Sequence, residues 1–319
     1  MTTSKMTNQI NVPICKHWAR NKMCLYHSNG GKCKFAHPDD YQKTHIQRHR
    51  STGGRLQTRN DTRVAKLRSF IASFNDVLDL STCNILDVAG GKGELAFQLL
   101  NLNNAASCHV VDPRPLSLTR FQKRLQRGFY HRSASIVSQD IVRHHTEKER
   151  SVDHLRCFFS HELWKQSENK DDEKYLSAFE KNCKAANSWS WPPADGSNEH
   201  SECIHHDEDP YENDVKPKET PTFEHASSVV KGANLIVGMH PDQAVDAIID
   251  AALDRNITFF VVPCCTYSSE FPQRKVFSSN KIVTTYNELL DYLQSKSPDI
   301  KRHILPFEGK NVCLYRIVT

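Results

Sequence analysis

From Asp61 the apolar residues Val64, Leu67, Ile71, Phe74 and Leu78 recur at three- and four-residue steps, the stripe that an amphipathic helix turns toward a core. The spacing predicts a helix over 62–79 with Asp61 as its N-cap. An apolar run at Asn84–Val88, a glycine-rich turn and a helical pattern at Glu94–Leu102 follow. Next come a short strand at Cys108–Val111, a helix near Ser117–Arg127 and a third strand near Ser135–Val137. Strand and helix alternate, which is the signature of a parallel sheet covered by helices.

Between Val142 and Lys231 the alternation stops. One helix is expected around 171–184. Residues 187–226 are polar, acidic and proline-rich and are expected to form a weakly ordered insertion. The pattern then resumes with a strand at Asn234–Gly238, a helix at Asp242–Leu253, a strand at Thr258–Val262 and a helix at Tyr286–Gln294. The segments His303–Phe307 and Val312–Val318, joined through Glu308-Gly309-Lys310-Asn311, read as a closing antiparallel hairpin.

Charge changes the picture of the first seventy residues. They hold 14 Lys and Arg against 3 Asp and Glu, a balance of +11, whereas the rest of the chain carries −6. A basic head therefore precedes a mildly acidic body, and a nucleic-acid partner is expected. No stretch reaches the roughly 18 apolar residues of a membrane helix, and the start MTTSKMTNQINVP lacks the apolar centre of a secretory signal. A soluble protein kept inside the cell, in nucleus or cytoplasm, is expected. The cysteines number eleven, an odd count that suits reduced thiols and metal binding better than a disulfide framework.

Three of those cysteines stand in metal-ligand spacing. Cys15, Cys24, Cys33 and His37 form C-x8-C-x8-C-x3-H, three thiolates and an imidazole suited to one tetrahedral structural Zn²⁺. A module of about 25 residues has too little apolar surface to fold alone, so the metal would supply its folding energy. Trp18, Tyr26 and Phe35 interleave with Lys16, Arg20, Lys22, Lys32 and Lys34. That mixture suits stacking on unpaired bases while neutralising phosphates, though Phe35 can equally be the finger's small core. The spacing and its KFAHP neighbourhood resemble the CCCH zinc-finger family of RNA-binding modules. In that family the interval between the second and third cysteines is usually shorter.

The segment Ile85-Leu86-Asp87-Val88-Ala89-Gly90-Gly91-Lys92-Gly93-Glu94 is a strand, a glycine-rich turn and a helix start. Glycines there let a ligand approach the backbone and expose its amides. The second strand ends in Asp112, where a carboxylate can accept both ribose hydroxyls of a nucleoside cofactor. The pattern resembles motif I of class I S-adenosylmethionine-dependent methyltransferases. That resemblance implies that Asp87 lies near the methionine part of the cofactor, that Gly91 and Gly93 are the family's glycines, and that Asp140 bonds the adenine amino group. It also implies a sheet ending in an antiparallel strand. Ala89 stands where the family most often has glycine, which is tolerable where its backbone avoids positive φ. A dinucleotide enzyme is the next alternative, but the full G-x-G-x-x-G spacing is absent.

Ligands of open α/β sheets bind beyond the carboxyl ends of the strands, so the residues after the fourth and fifth strands face the substrate. These are Gly238-Met239-His240-Pro241-Asp242-Gln243 and Pro263-Cys264-Cys265-Thr266-Tyr267. Together they resemble relatives of the zinc-finger tRNA 2′-O-methyltransferases and of rRNA methyltransferase-like proteins. His240 can act as a general base or orient a hydroxyl, and Asp242 can support it or cap the following helix. Cys264 and Cys265 admit three roles: a small turn, a second metal site with His240, or a nucleophile.

The sequence reading is thus a CCCH finger at 10–40, a basic linker at 41–60, and a Rossmann-like methyltransferase domain at 61–319. The activity it implies is methyl transfer from S-adenosylmethionine to RNA, with Zn²⁺ in the finger. The alternative is an RNA-binding finger protein whose second domain is a non-catalytic scaffold.

Overall fold

The computed structural model describes residues 36–37, 60–132, 149–165, 172–188, 221–277 and 279–318. The chain divides into two compact units, Met1–Gln57 and Thr58–Thr319. Of the first unit only Ala36 and His37 are described. Cys15, Cys24, Cys33 and almost all of the basic linker lie outside the described residues, as do 189–220 of the acidic segment.

The second unit opens with α1 (Asn60–Ala72), followed by β1 (Asn84–Val88), α2 (Glu94–Leu102), β2 (Ser107–Val111), α3 (Thr119–Gln126), α4 (Phe129–Arg132) and β3 (Asp153–Leu155). After these come α5 (Asp172–Ser188), α6 (Phe223–Gly232), β4 (Leu235–Met239), α7 (Val245–Asp254), β5 (Thr258–Val262), α8 (Tyr286–Gln294), β6 (Lys301–Ile304) and β7 (Val312–Arg316). The strands form one seven-stranded sheet in the order β3-β2-β1-β4-β5-β7-β6. The first five run parallel, with Leu86 beside His109 on one side and Ile236 on the other. β7 enters antiparallel to β5 and pairs antiparallel with β6. The fold is the expected α/β, Rossmann-like sheet with an antiparallel C-terminal hairpin.

Each face of the sheet has its own core. On one side Ile85, Val110, Leu235 and Phe260 pack with Leu67 and Ile71 of α1 and with Leu95, Phe97 and Leu99 of α2. On the other, Leu86, Val111, Ile236 and Phe259 pack with Phe179 of α5, Val230 of α6, Ile248 of α7 and Leu289 of α8. Alternate strand residues serve opposite faces, so a strand covered on both sides reads as continuous apolar sequence. β5, Thr-Phe-Phe-Val-Val, is buried throughout for this reason. Leu67 and Ile71 are fully buried, and each side chain contributes roughly 2 kcal/mol of burial.

Several boundaries shift. α1 opens at Asn60, ahead of the expected cap Asp61, and ends at Ala72 rather than continuing to 79. Phe74 and Leu78 stay against the core through turns, with the Leu78 amide donating to the Phe74 carbonyl at 2.8 Å. The strand beside β2 is Asp153–Leu155, within the stretch expected to lack alternation. The expected third strand, Ser135–Val137, lies outside the described residues. α6 also falls in that stretch. Its first residues, expected to be insertion, are held by the Thr222 side chain accepting from the His225 amide at 3.2 Å.

Candidate functional site

The loops after β1, β2, β4 and β5 all leave the carboxyl ends of the strands, at the point where the order turns from β2-β1 toward β4-β5. This is where open α/β sheets bind ligands. Seven of the described non-glycine residues have positive φ; three are asparagines, which tolerate that conformation. The other four are Ala89 (φ +55°), His240 (+56°), Asp242 (+46°) and Tyr267 (+46°), all in these loops. Backbone strain is thus concentrated on this one face, as it is at ligand-binding sites generally.

The β1 turn is built over an acid. Asp87 is wholly buried, and its Oδ2 accepts the Ala96 amide at 3.2 Å. Its Oδ1 has no hydrogen-bond partner among the described residues. Burial pushes this carboxyl up to about 7; the Ala96 amide opposes the shift and the charge of Asp112 adds to it. Gly90 lies against the carboxyl so closely that a Cβ there would stand 2.6 Å from Oδ2. Gly93, at φ +81°, starts α2, and a Cβ on it would stand 2.5 Å from Leu116 Cδ1. The condition under which alanine is readily tolerated at position 89 is not met, since Ala89 has φ +55°. Its left-handed backbone lets the Ala89 amide reach the Val111 carbonyl at 2.9 Å.

Asp112 closes β2 at 1% exposure and meets the glycine turn directly. Its Oδ2 accepts the Gly91 amide at 2.7 Å. The guanidinium of Arg114 grips both oxygens, Nε to Oδ1 and Nη2 to Oδ2, each at 2.9 Å. Behind it, His154 Nε2 hydrogen-bonds the Asp112 carbonyl at 2.9 Å and Arg156 Nε donates to the Pro113 carbonyl at 3.1 Å. β3 therefore fixes the backbone of the β2 loop. Asp140, expected on this side, lies outside the described residues.

On the β4–β5 side the side chains converge on Asp242. The 3-10 turn Asp242–Ala244 and α7 have no side-chain cap hydrogen bond, so Asp242 is not the cap of the following helix. Its Oδ1 accepts the Cys264 thiol at 3.0 Å. Burial raises the Asp242 carboxyl, against the opposing pull of the Cys264 hydrogen bond, the Arg114 charge and a hydrogen bond from Tyr267. Cys264 is held well above an ordinary thiol by its hydrogen bond with Cys265, by burial and by Asp242. The donor atoms of Asp242, Cys264 and Cys265 lie within 4.8 Å of one another; His240 is not part of that group. His240 is tied through its amide to the Val262 carbonyl at 3.1 Å, and both ring nitrogens are buried.

The loop after β5 is anchored by a residue that sequence reading passed over. Arg274 is fully buried, pairs with Asp246 of α7 at 2.6 Å, donates to the Thr266 carbonyl at 2.6 Å and stacks on Phe271. Gln243 and Glu270 bond across the same gap. Arg114 was missed as well. Its signal was present in the sequence, since an arginine two residues beyond a strand-end aspartate can fold back on it.

In the N-terminal unit, His37 is half-buried; the three cysteines expected to share a metal with it lie outside the described residues. No helix among the described residues is long and apolar enough to cross a membrane. No family model matches the chain, and no curated protein matches it. Among solved structures, it is similar to the methyltransferase domain of bacterial CtHen1-CN, at 11% identity and a TM-score of 0.32, over 79% of this chain and 97% of that one. It is also similar to magnesium protoporphyrin IX methyltransferase (ChlM) from Synechocystis PCC 6803 with bound SAH, at 9% identity and a TM-score of 0.29, over 87% and 95%.

Proposed function

We propose that the chain is an S-adenosylmethionine-dependent methyltransferase acting on RNA, with the basic, zinc-binding N-terminal part docking the substrate. The observation that carries the cofactor reading is the pair of buried strand-end acids at the glycine turn. Asp87 has an oxygen with no hydrogen-bond partner among the described residues, and Asp112 is bound to the Gly91 amide. Asp87 suits the cationic end of such a cofactor, Asp112 its ribose, and the glycines leave room for the chain between them.

S-adenosylmethionine supplies a methyl group already activated on a sulfonium. The protein's own work is to orient it, exclude water and take up a proton from the acceptor atom. Asp242, raised by burial and placed on the β4–β5 side, is the group we assign to the proton, with His240 as the second candidate. Cys264 keeps its proton and donates a hydrogen bond to Asp242, so we assign it to positioning rather than attack. Asp140 is retained as the adenine contact, and Cys15, Cys24, Cys33 and His37 as the Zn²⁺ ligands. RNA is favoured as substrate by the +11 balance of the first seventy residues.

One observation favours the scaffold reading: the carboxylate of Asp112 is already filled by Arg114. Transfer of labelled methyl from S-adenosylmethionine to total cellular RNA, followed by nucleoside analysis, decides between them. Label in one nucleoside is the expected result. No label, together with no cofactor binding by calorimetry at millimolar concentration, would leave the scaffold.

A further inference from the structure

Asp112 is the acid that this fold offers to a cofactor ribose, yet its acceptor positions are all in use. Oδ1 accepts the Arg114 amide at 2.8 Å and Arg114 Nε at 2.9 Å. Oδ2 accepts the Gly91 amide at 2.7 Å and Arg114 Nη2 at 2.9 Å. A carboxylate has about four lone-pair directions, so two ribose hydroxyls find no acceptor while Arg114 stays in place. The two amides are fixed by the backbone. The guanidinium is the removable half: the Arg114 side chain is 41% exposed, that of Asp112 1%.

A destination for it is also present. Asp242 acts on Arg114 with its negative charge, and Arg114 acts on Asp242 in return. The guanidinium covers Gly91, with Nη2 3.1 Å from where a Cβ would stand, so it lies directly over the glycine turn.

We propose that Arg114 is a cofactor-exchanged latch: in the empty site it holds Asp112, and an arriving ribose diol displaces it onto Asp242. The inference rests on the S-adenosylmethionine reading of the site. It makes Arg114 a positioning residue that reports cofactor occupancy to the acid on the substrate side. The charge partner of Asp242 then changes as the cofactor loads, before any RNA is bound.

The test is calorimetry with adenosine, which carries the ribose and base alone, and with 2′,3′-dideoxyadenosine, which lacks the diol. Arg114→Gln should bind adenosine about fivefold tighter than wild type, because no ion pair has to be broken first. Dideoxyadenosine should show no such gain. Arg114→Lys, which keeps the charge and loses the two-pronged grip, guards against a folding defect and should gain about twofold. Asp242→Asn should weaken adenosine binding in the wild-type background and leave it unchanged beside Arg114→Gln. Equal or weaker adenosine binding by both Arg114 variants, or an equal gain for dideoxyadenosine, overturns the latch while the cofactor site stands. If wild type and variants bind neither adenosine nor S-adenosylmethionine, the cofactor reading falls and the latch falls with it.

Discussion

The thiol of Cys264 donates to Asp242 Oδ1 across 3.0 Å, joining the loop after β5 to the loop after β4. The bond commits the Asp242 side chain to the loop after β5, and the helix that follows Asp242 has no side-chain cap. It also keeps the thiol protonated, because a buried sulfur beside a carboxylate gains nothing from ionising. Cys264 should therefore resist alkylation in the folded protein at pH 7, and Cys264→Ser should keep methyl transfer within about tenfold of wild type. A trapped covalent RNA adduct on Cys264, or total loss of activity in that variant, would reverse this assignment.

Asp87 gives a pH dependence with a definite sign. Its folded-state carboxyl is raised to about 7 by burial, above its unfolded value, so the native state binds this proton more tightly. The contribution to stability is fully present below about pH 4 and is lost as pH rises toward and through 7. Melting curves of the cofactor-free protein should show this fall for wild type and not for Asp87→Asn. Binding of a cationic cofactor favours the ionised acid, so affinity for S-adenosylmethionine should rise over the same interval. A flat affinity profile from pH 5 to 8 would count against Asp87 as the cofactor's acid.

Substitutions in the β1 turn should move in opposite directions. Gly93→Ala places a methyl group 2.5 Å from Leu116 Cδ1 at φ +81° and should destabilise the domain by about 2 kcal/mol while abolishing cofactor binding. Ala89→Gly relieves a left-handed alanine and should be neutral or stabilising by up to about 1 kcal/mol. Thermal denaturation reads both. A loss of stability on Ala89→Gly would show that the turn needs the alanine methyl.

Arg274 is buried against Asp246, which also pairs with Lys296 at 2.9 Å, so removing Arg274 takes away one of two cationic partners together with the bond to the Thr266 carbonyl. Arg274→Met should cost about 2 kcal/mol and speed amide exchange in the loop after β5, well ahead of the β1 and β2 strands. Uniform exchange across the domain would mean that the ion pair does not anchor this loop.

Much of the fold was legible because the sheet is covered on both faces. β1, α2, β5 and α8 have the expected bounds, since each is a continuous apolar run or a clean helical stripe. β3 was not legible. In Asp-His-Leu only Leu155 is buried, and pairing to β2 defines the strand more than its own hydrophobicity does. α6 was hidden by the polar residues before it, although Thr222 is an ordinary cap. At the site, Asp87, Gly91, Gly93, Asp112, Asp242 and Cys264 could be named from their place after strands. Arg274 could not, because a side chain that folds back across a loop leaves no periodic trace, whereas Arg114 had a signal in its place two residues beyond Asp112.

The zinc assignment yields its own check. Cys33→Ser should lower bound zinc by one equivalent and weaken RNA binding, while the melting of the second unit stays unchanged. Unaltered zinc content would remove Cys33 from the ligand set.

Ala89, His240, Asp242 and Tyr267 each hold a left-handed backbone that costs on the order of 1 kcal/mol. An engineer selecting only for heat resistance would therefore find some of the easiest gains on this face, by replacing these residues with glycine. The same choices would loosen the loops that carry the acids and the thiol. Thermostable variants drawn from such a selection should lose ligand binding first, and positions where stability and affinity trade against each other would mark out the site without any assay of its chemistry.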